Sequence, residues 1–314
     1  GFDAFFCMKY ELSQGGYRDF LNTLTYSQQT VHIVPAPNAV PGTYALANAS
    51  RNSIKIKTSG TSTTLPAVFG CDANNNGVYD EAADGEYIAC NFLNWVDHAA
   101  YLDWAGLRPL TELEFEKAAR GIQLPVAGEY AWGNNQLSTS IYILANPNQA
   151  GEIVSNPATS PAGNANYGST FPNSPYNGPL RNGIFATATS TRISSGGSFY
   201  GIMELSGNLW ERVITTGNTA GKTFNGAHGY GNLGSLGHAV FPANTWPGGG
   251  GPGAFGTPTY IDGTINATGL MYRGGSWAST GVRLAASDRA GLLVTDPNII
   301  RSNDVGVRGC RTAQ

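Results

Sequence analysis

The clearest periodic signal lies near the start of the chain. QGGYRDFLNTLT (Gln14 to Thr25) puts Tyr17, Phe20, Leu21 and Leu24 on one face at helical spacing, and Ser13 before it is a natural N-cap. The preceding FFCMKYELS (Phe5 to Ser13) is strand-like, and residues 31–70 read as short strands divided by Pro/Gly turns. A second helix is predicted from about Asn94, with Trp95, Ala99, Leu102 and Ala105 on one face. A third is predicted within WAGLRPLTELEFEKAARG (Trp104 to Gly121). Thr111 and Glu114 have the spacing of a capping box, and Gly121 supplies the stop. Beyond residue 122 helical periodicity fades into short strands and long Gly/Asn/Pro loops, most extreme at 215–262 with its GGGGPG run (Gly248 to Gly253). No linker and no tandem repeat interrupts this pattern. The expected organisation is one domain over 1–314 with insertions near 60–88 and 215–265.

One segment has no period at all. Residues 278–304 lie between RGGSW (Arg273 to Trp277) and VGVRGCR (Val305 to Arg311). Their apolar members sit among Asp288, Asp296, Asp304, Arg289 and Arg301. A loop of this kind is either tucked under a core or displayed as a binding surface.

Composition narrows the class. Charged residues are 12% of the 314-residue chain, about half the ordinary share. Hydrophobic residues are 41%, enough to exclude disorder. A net charge of −3 without a Lys/Arg cluster argues against nucleic acid as a partner. No apolar run approaches the length of a membrane span. The chain starts at Gly1 rather than Met, so a leader or lipid anchor cannot be judged from it. Cys7, Cys71, Cys90 and Cys310 match no metal knuckle. Cys71 and Cys90 flank one loop and could clip it, Cys7 and Cys310 could pair only if the chain ends meet, and all four could equally be buried free thiols.

Six stretches, in this order, carry a resemblance: KYELSQGGYRDFLN, NWVDHAAYLDWAGLRPLTELEFEKAARG, YAWGN, GIMELSGNLWERV, MYRGGSWAS and VGVRGCR. The chain resembles the formylglycine-generating enzyme/sulfatase-modifying-factor family from about residue 5 to 311. The resemblance implies an α+β, C-type lectin-like fold of that subtype: short twisted antiparallel sheets, two to three helices, many long loops, and first and last strands paired. Cys7 and Cys310 would then be neighbours, which favours a disulfide between them.

The family's oxidases carry two cysteines three and eight residues beyond the Ser of the GGS motif. Ser279 and Leu284 occupy those positions here, and neither can bind copper(I) or supply a thiolate. The non-haem iron members need clustered histidines, whereas His32, His98, His228 and His238 are scattered. No catalytic residue is therefore assigned. Another branch comprises the variable proteins of diversity-generating retroelements. In these, codons after the RGGSW motif are hypermutated at adenines, so substitutions exclude Lys, Glu, Gln, Met and Trp. Residues 278–305 contain none of the five.

The resulting expectation is a non-catalytic, receptor- or adhesin-like protein with a diversified C-terminal surface (273–311). Its ligand contacts would be Trp277, Thr280, Val282, Leu284, Leu292, Leu293, Val294, Asp296, Ile299, Ile300, Asn303 and Asp304. Arg283, Ser287, Asp288 and Arg289 would frame them, with RGGS and VGVRG. The expected partner is a protein or glycan on another surface, met at a cell surface, in the secreted state or on a phage. Alternatives are an extracytoplasmic formylglycine-generating-enzyme-like or non-haem iron oxidoreductase, or a plain adhesion module.

Calcium is the expected ion, with no organic cofactor. Asp72, Asn74, Asn76 and Asp80 follow a D-x-N-x-N-G-x-x-D spacing, although Ala83 stands where an EF-hand has its bidentate Glu, and Asp84 would have to substitute. By resemblance, the Glu204 and Glu211 side chains and the Gly207 and Leu209 carbonyls form a second site.

Overall fold

A computed structural model describes residues 3–61, 64–168, 170–171, 176–240, 246–247, 269–290 and 300–313. Strand β1 (Phe5–Cys7) pairs antiparallel with β10 (Gly309–Thr312). β10 also pairs with β4 (Arg108–Pro109), making the sheet β1-β10-β4. The chain ends thus meet, as the resemblance implies. The strand is shorter than the apolar run suggests: beyond Cys7 the Arg308 guanidinium donates to the Met8 carbonyl at 2.9 Å, while Met8 N still reaches Gly309 O at 3.0 Å. Cys7 lies directly opposite Cys310. The flanking Met8–Gly309 and Ala4–Ala313 bonds make this a non-hydrogen-bonded pair, the closer of the two cross-strand arrangements. All four cysteines are free thiols, and burial pushes Cys7 and Cys71 up to about 12.

Helix α1 (Gln14–Thr23) begins at Ser13, whose hydroxyl accepts from Gly16 N, and buries Tyr17, Phe20 and Leu21. It stops one residue before Leu24, because Thr25 starts a separate helix, α2 (Tyr26–His32). That helix has a Thr25/Gln28 capping box, which the apolar pattern does not reveal. α3 (Trp95–Trp104) is capped by Asn94 and Asp97. α4 (Glu112–Arg120) has the Thr111/Glu114 box and ends at Gly121, whose φ of +66° suits glycine. The hairpin β2 (Ile54–Thr58)–β3 (Val68–Cys71) follows α2. β5 (Leu144–Ala145) and β6 (Ile153–Val154) make a second hairpin. The last sheet centres on β7 (Trp210–Ile214). It is antiparallel to β8 (Leu270–Arg273) and parallel to β9 (Val305–Gly306), with the short α5 (Thr219–Lys222) in the loop between β7 and β8.

The main core joins α1 and α3 to the β2–β3 hairpin through Tyr17, Phe20, Leu21, Ile54, Phe69 and Trp95. A second core packs α4 through Phe115 and Ala119 onto Val213 and Met271 of the β7–β8 pair. The RGGS turn leaves β8 toward this second core, and VGVRG returns through β9, so the aperiodic segment starts and ends on one sheet.

Candidate binding face and its frame

Arg273, at the end of β8, is fully buried. It donates to Glu116 at 3.0 Å and to the Ala286 carbonyl, and lies 5.0 Å over the Phe115 ring. Gly274 and Gly275 follow with φ of +89° and +73°. A Cβ on Gly275 would come within 2.6 Å of Leu284 Cδ1, so both conformation and space call for glycine there. Trp277 N donates to Asn208 O, and the Ser276 hydroxyl donates to Asp304.

The outward-facing residues are fewer than the sequence suggests. Val282 is 70% and Ile300 62% exposed, Thr280 is exposed and Trp277 half-buried. Leu284 corrects the expectation: it is 0% exposed and packs with Trp132, Ala165 and Tyr167. A turn of 3-10 helix over Gly281–Leu284 points it inward while Val282 points out. Asn303 and Asp304 also belong largely to the frame. The Asn303 carbonyl accepts from Trp277 Nε1 at 3.1 Å and from Asn91 Nδ2 at 2.9 Å, and the Asp304 carboxylate accepts from Ser276 and Ser302. Leu292, Leu293, Val294, Asp296 and Ile299 lie outside the described residues.

Charge-assisted bonds hold the segment at both flanks. Arg289 donates to Glu112 at 3.0 Å and Glu116 at 2.7 Å, an i,i+4 acidic pair on α4. Arg301 donates to Asp97 at 3.0 Å and to the Val31 carbonyl at 2.9 Å. Asp97 is buried and also pairs with His32 at 2.9 Å. Burial acts to raise both acceptors, but bonded partners outweigh it. Glu112 is held at about 2, with Arg289 its leading partner, and Arg301 and His32 hold Asp97 below its ordinary value. Arg283 pairs more loosely with Asp288 at 3.6 Å, and Ser287 is exposed. The sequence marked Arg283 and Arg289 as framing residues; the acidic partners of Arg289 on α4, Glu112 and Glu116, and the buried Asp97 that holds Arg301 were not marked.

The two calcium expectations meet different surroundings. In the 72–84 loop, Asp72 accepts from Lys55 Nζ and Asn76 N. The Asn74 and Asn76 oxygens cap Asn76 N and Val78 N, while Asp80 accepts from Arg18, Lys57 and Cys71 N. A calcium ion here would have to compete with Lys55 for Asp72 and with Arg18 and Lys57 for Asp80.

At the second site Glu11 and Glu211 are buried, and Glu204 is half-buried with a carboxyl oxygen turned inward, around Arg308, which donates to Glu211, Met8 O and Met203 O. Glu11, which the sequence did not mark, accepts from Asn208 Nδ2 and Leu209 N. Glu204 accepts from Gly183 N at 2.7 Å. Burial pushes the Glu204 carboxyl up to about 7. Glu204 and Glu211 each keep one buried oxygen with no donor, and one guanidinium faces three carboxyls. These residues fit a hard cation, provided backbone carbonyls such as those of Gly207 and Leu209 complete its shell. Among the described residues no group of three His, Cys, Asp or Glu side chains could hold a metal by itself.

Beside Trp277 opens a cavity of about 350 Å³, lined by Asn166, Tyr167, Gly168, Phe171, Tyr176, Asn177, Gly178, Trp277 and Ala278. It adjoins the aperiodic segment directly, since Gly168 N donates to Ser279 O at 3.0 Å. Among the described residues no helix is long and apolar enough to cross a membrane.

Among curated proteins none matches this chain. Solved structures similar to this chain at low identity include these two. PvdO from Pseudomonas aeruginosa is 14% identical with a TM-score of 0.34, covering 98% of this chain and 80% of its own. Treponema denticola variable protein 1 is 14% identical with a TM-score of 0.37, covering 90% and 93% respectively. The model of the FGE-sulfatase family, the sulfatase-modifying factor enzyme 1-like domain, matches residues 1–313, and the chain, with its α+β build of short sheets, belongs to that family.

Proposed function

We propose that the chain is a non-catalytic ligand-binding protein that displays residues after Trp277 as an exchangeable surface, in the manner of retroelement variable proteins. One observation carries the reading. The segment is clamped on α4 by Arg289 and on Asp97 by Arg301, while Thr280, Val282 and Ile300 stand exposed. A rigid frame that fixes backbone by charge-assisted bonds, leaving outward side chains free of structural duty, suits a surface whose residues change. Ser279 and Leu284 at the oxidase cysteine positions, with Leu284 in the core, agree with a binding rather than an oxidative role.

The ligand is a protein or glycan on another surface, met at a cell surface, in the secreted state or on a phage. Calcium bound at Glu204 and Glu211 would be structural. The test is the flanking DNA. An adenine-rich near-copy of the codons for 277–305 beside a reverse-transcriptase gene is expected, with natural variants differing at Thr280, Val282 and Ile300 more than at Leu284. A locus without such a copy overturns the diversification reading.

A further inference from the structure

We propose that the cavity beside Trp277 is a calcium-independent subsite for one neutral sugar residue of a glycan. The inference rests on the binding-face reading above and deepens it by naming the ligand class.

Three observations carry it. First, the described lining holds four aromatic rings (Tyr167, Phe171, Tyr176 and Trp277) and two carboxamides (Asn166 and Asn177), with no charged side chain. Burying an ion here would leave it without a counter-charge, which is strongly unfavourable, so the site selects against carboxylates, phosphates and ammonium groups. Second, the polar groups suit hydroxyls. Asn166 is nine-tenths buried, and both its amide hydrogens are spent on Gly178 O and Asn208 Oδ1, each at 3.1 Å. Its carbonyl oxygen is left as an acceptor with no donor among the described residues. Asn177 is exposed and its carboxamide has no partner among them, so it offers donor and acceptor together. Third, the rings are fixed. Trp277 spends its N–H on Asn303 O, Tyr167 spends its hydroxyl on Ser138 O, and Phe171 meets Tyr176 edge-on at 6.4 Å. Tyr167 and Phe171 are themselves buried and back the wall, so the ring surface left for a ligand is that of the half-buried Trp277 and Tyr176. A ligand with C–H faces and several hydroxyls but no charge matches rings and carboxamides at once, and at about 350 Å³ the cavity lies within the range of small-molecule sites.

The subsite is also separable from the exchangeable surface. Of its described lining, Trp277 and Ala278 come from the C-terminal segment and the rest from residues 166–178. It would keep a constant sugar anchor while neighbours such as Thr280 and Val282 vary.

The experiment uses the whole chain in ligand-observed NMR with the methyl glycosides of glucose, galactose, mannose, N-acetylglucosamine and N-acetylgalactosamine. Sialic acid is the charged control and a neutral Pro-rich peptide the competing class. At least one glycoside is expected to bind with Kd about 1 mM, unchanged by EDTA. Ala278→Trp, at an exposed position on the wall, is expected to weaken it at least tenfold with Tm unaltered. Trp277→Phe, which keeps a ring on the same wall, is expected to weaken binding less than Ala278→Trp does. Absence of binding by every glycoside at ~20 mM, undiminished binding in Ala278→Trp, loss with EDTA, or preference for sialic acid or the peptide each overturns the subsite. Glycoside binding in a protein whose gene lacks the adenine-rich copy would sink the diversification reading and leave the subsite standing.

Discussion

Glu204 shows how one buried carboxyl sets a pH profile. Its folded value is raised from an ordinary 4.5 to about 7 by burial, against opposing help from Arg308 and Gly183 N. A raised acid contributes stability that is complete below 4.5 and is lost as pH climbs through about 7, where the folded state must accept the buried charge. Glu204→Gln keeps an oxygen for Gly183 N and removes that charge, so it should stabilise the apo protein by roughly 3 kcal/mol at pH 8 and by nothing at pH 4. Urea titrations at both pH values check this; equal shifts would mean that Glu204 ionises without cost. With calcium the sign reverses. The proposed ion would raise the wild-type Tm at pH 8 and leave Glu204→Gln almost unmoved. The contrast between Leu284 and Val282, two residues apart, makes a second test. Leu284→Ala should cost about 2–5 kcal/mol by opening a cavity against Trp132 and Tyr167. Val282→Ala, 70% exposed, should stay within about 0.5 kcal/mol. Thermal unfolding of the pair decides whether the 281–284 turn is placed as described.

At the scale of elements, helices with both a cap and an apolar face were legible, and most strands were not. Ser13, Asn94 and Thr111 satisfy orphan N–H groups by local chemistry, so spacing alone marked their helices. α2 escaped because its seven residues bury only Gln29 and His32, leaving no apolar stripe to read. The two-residue strands β4, β5, β6 and β9 exist through partners far away in sequence, which no local pattern encodes. The same division governs the site. Trp277, Val282 and the framing arginines could be named in advance, but the inward turn of Leu284 and the roles of Asp97 and Glu11 depend on packing across the fold. The clamp from α3 to the C-terminal segment is testable. Arg301→Ala leaves the buried Asp97 to its other partners, His32 and the Asn94 N–H, and should cost roughly 3 kcal/mol. Because Asp97 is held below its ordinary value partly by Arg301, the variant should also lose less additional stability than wild type on acidification. Arg289→Ala, whose guanidinium is nearly half exposed, should cost at most about 1 kcal/mol. If both changes left Tm untouched, the flanks would not be anchored as drawn.

Across the whole molecule, closure of the ends and display of a surface are one arrangement. β1 against β10 brings the chain's beginning to its end, and β9 beside β7 sets the VGVRG turn next to the RGGS turn. The aperiodic segment is therefore a detour between two points of one sheet. Its fixed contacts, Arg273, Ser276, Leu284, Asp304 and Arg308, are made with the interior. Side chains that point outward then bear little of the fold's stability. Exchanging Thr280, Val282 and Ile300 together, for example to Asn, Tyr and Asp, should lower stability by no more than about 1.5 kcal/mol in total, since separated surface substitutions stay near 0.5 kcal/mol each and add. The same variant should change which cell-surface protein or glycan the chain binds, read by screening wild type and variant against one panel of displayed ligands. A loss well above that limit would return the segment to the core, and an unchanged ligand profile at unchanged Tm would move the binding face elsewhere on the molecule.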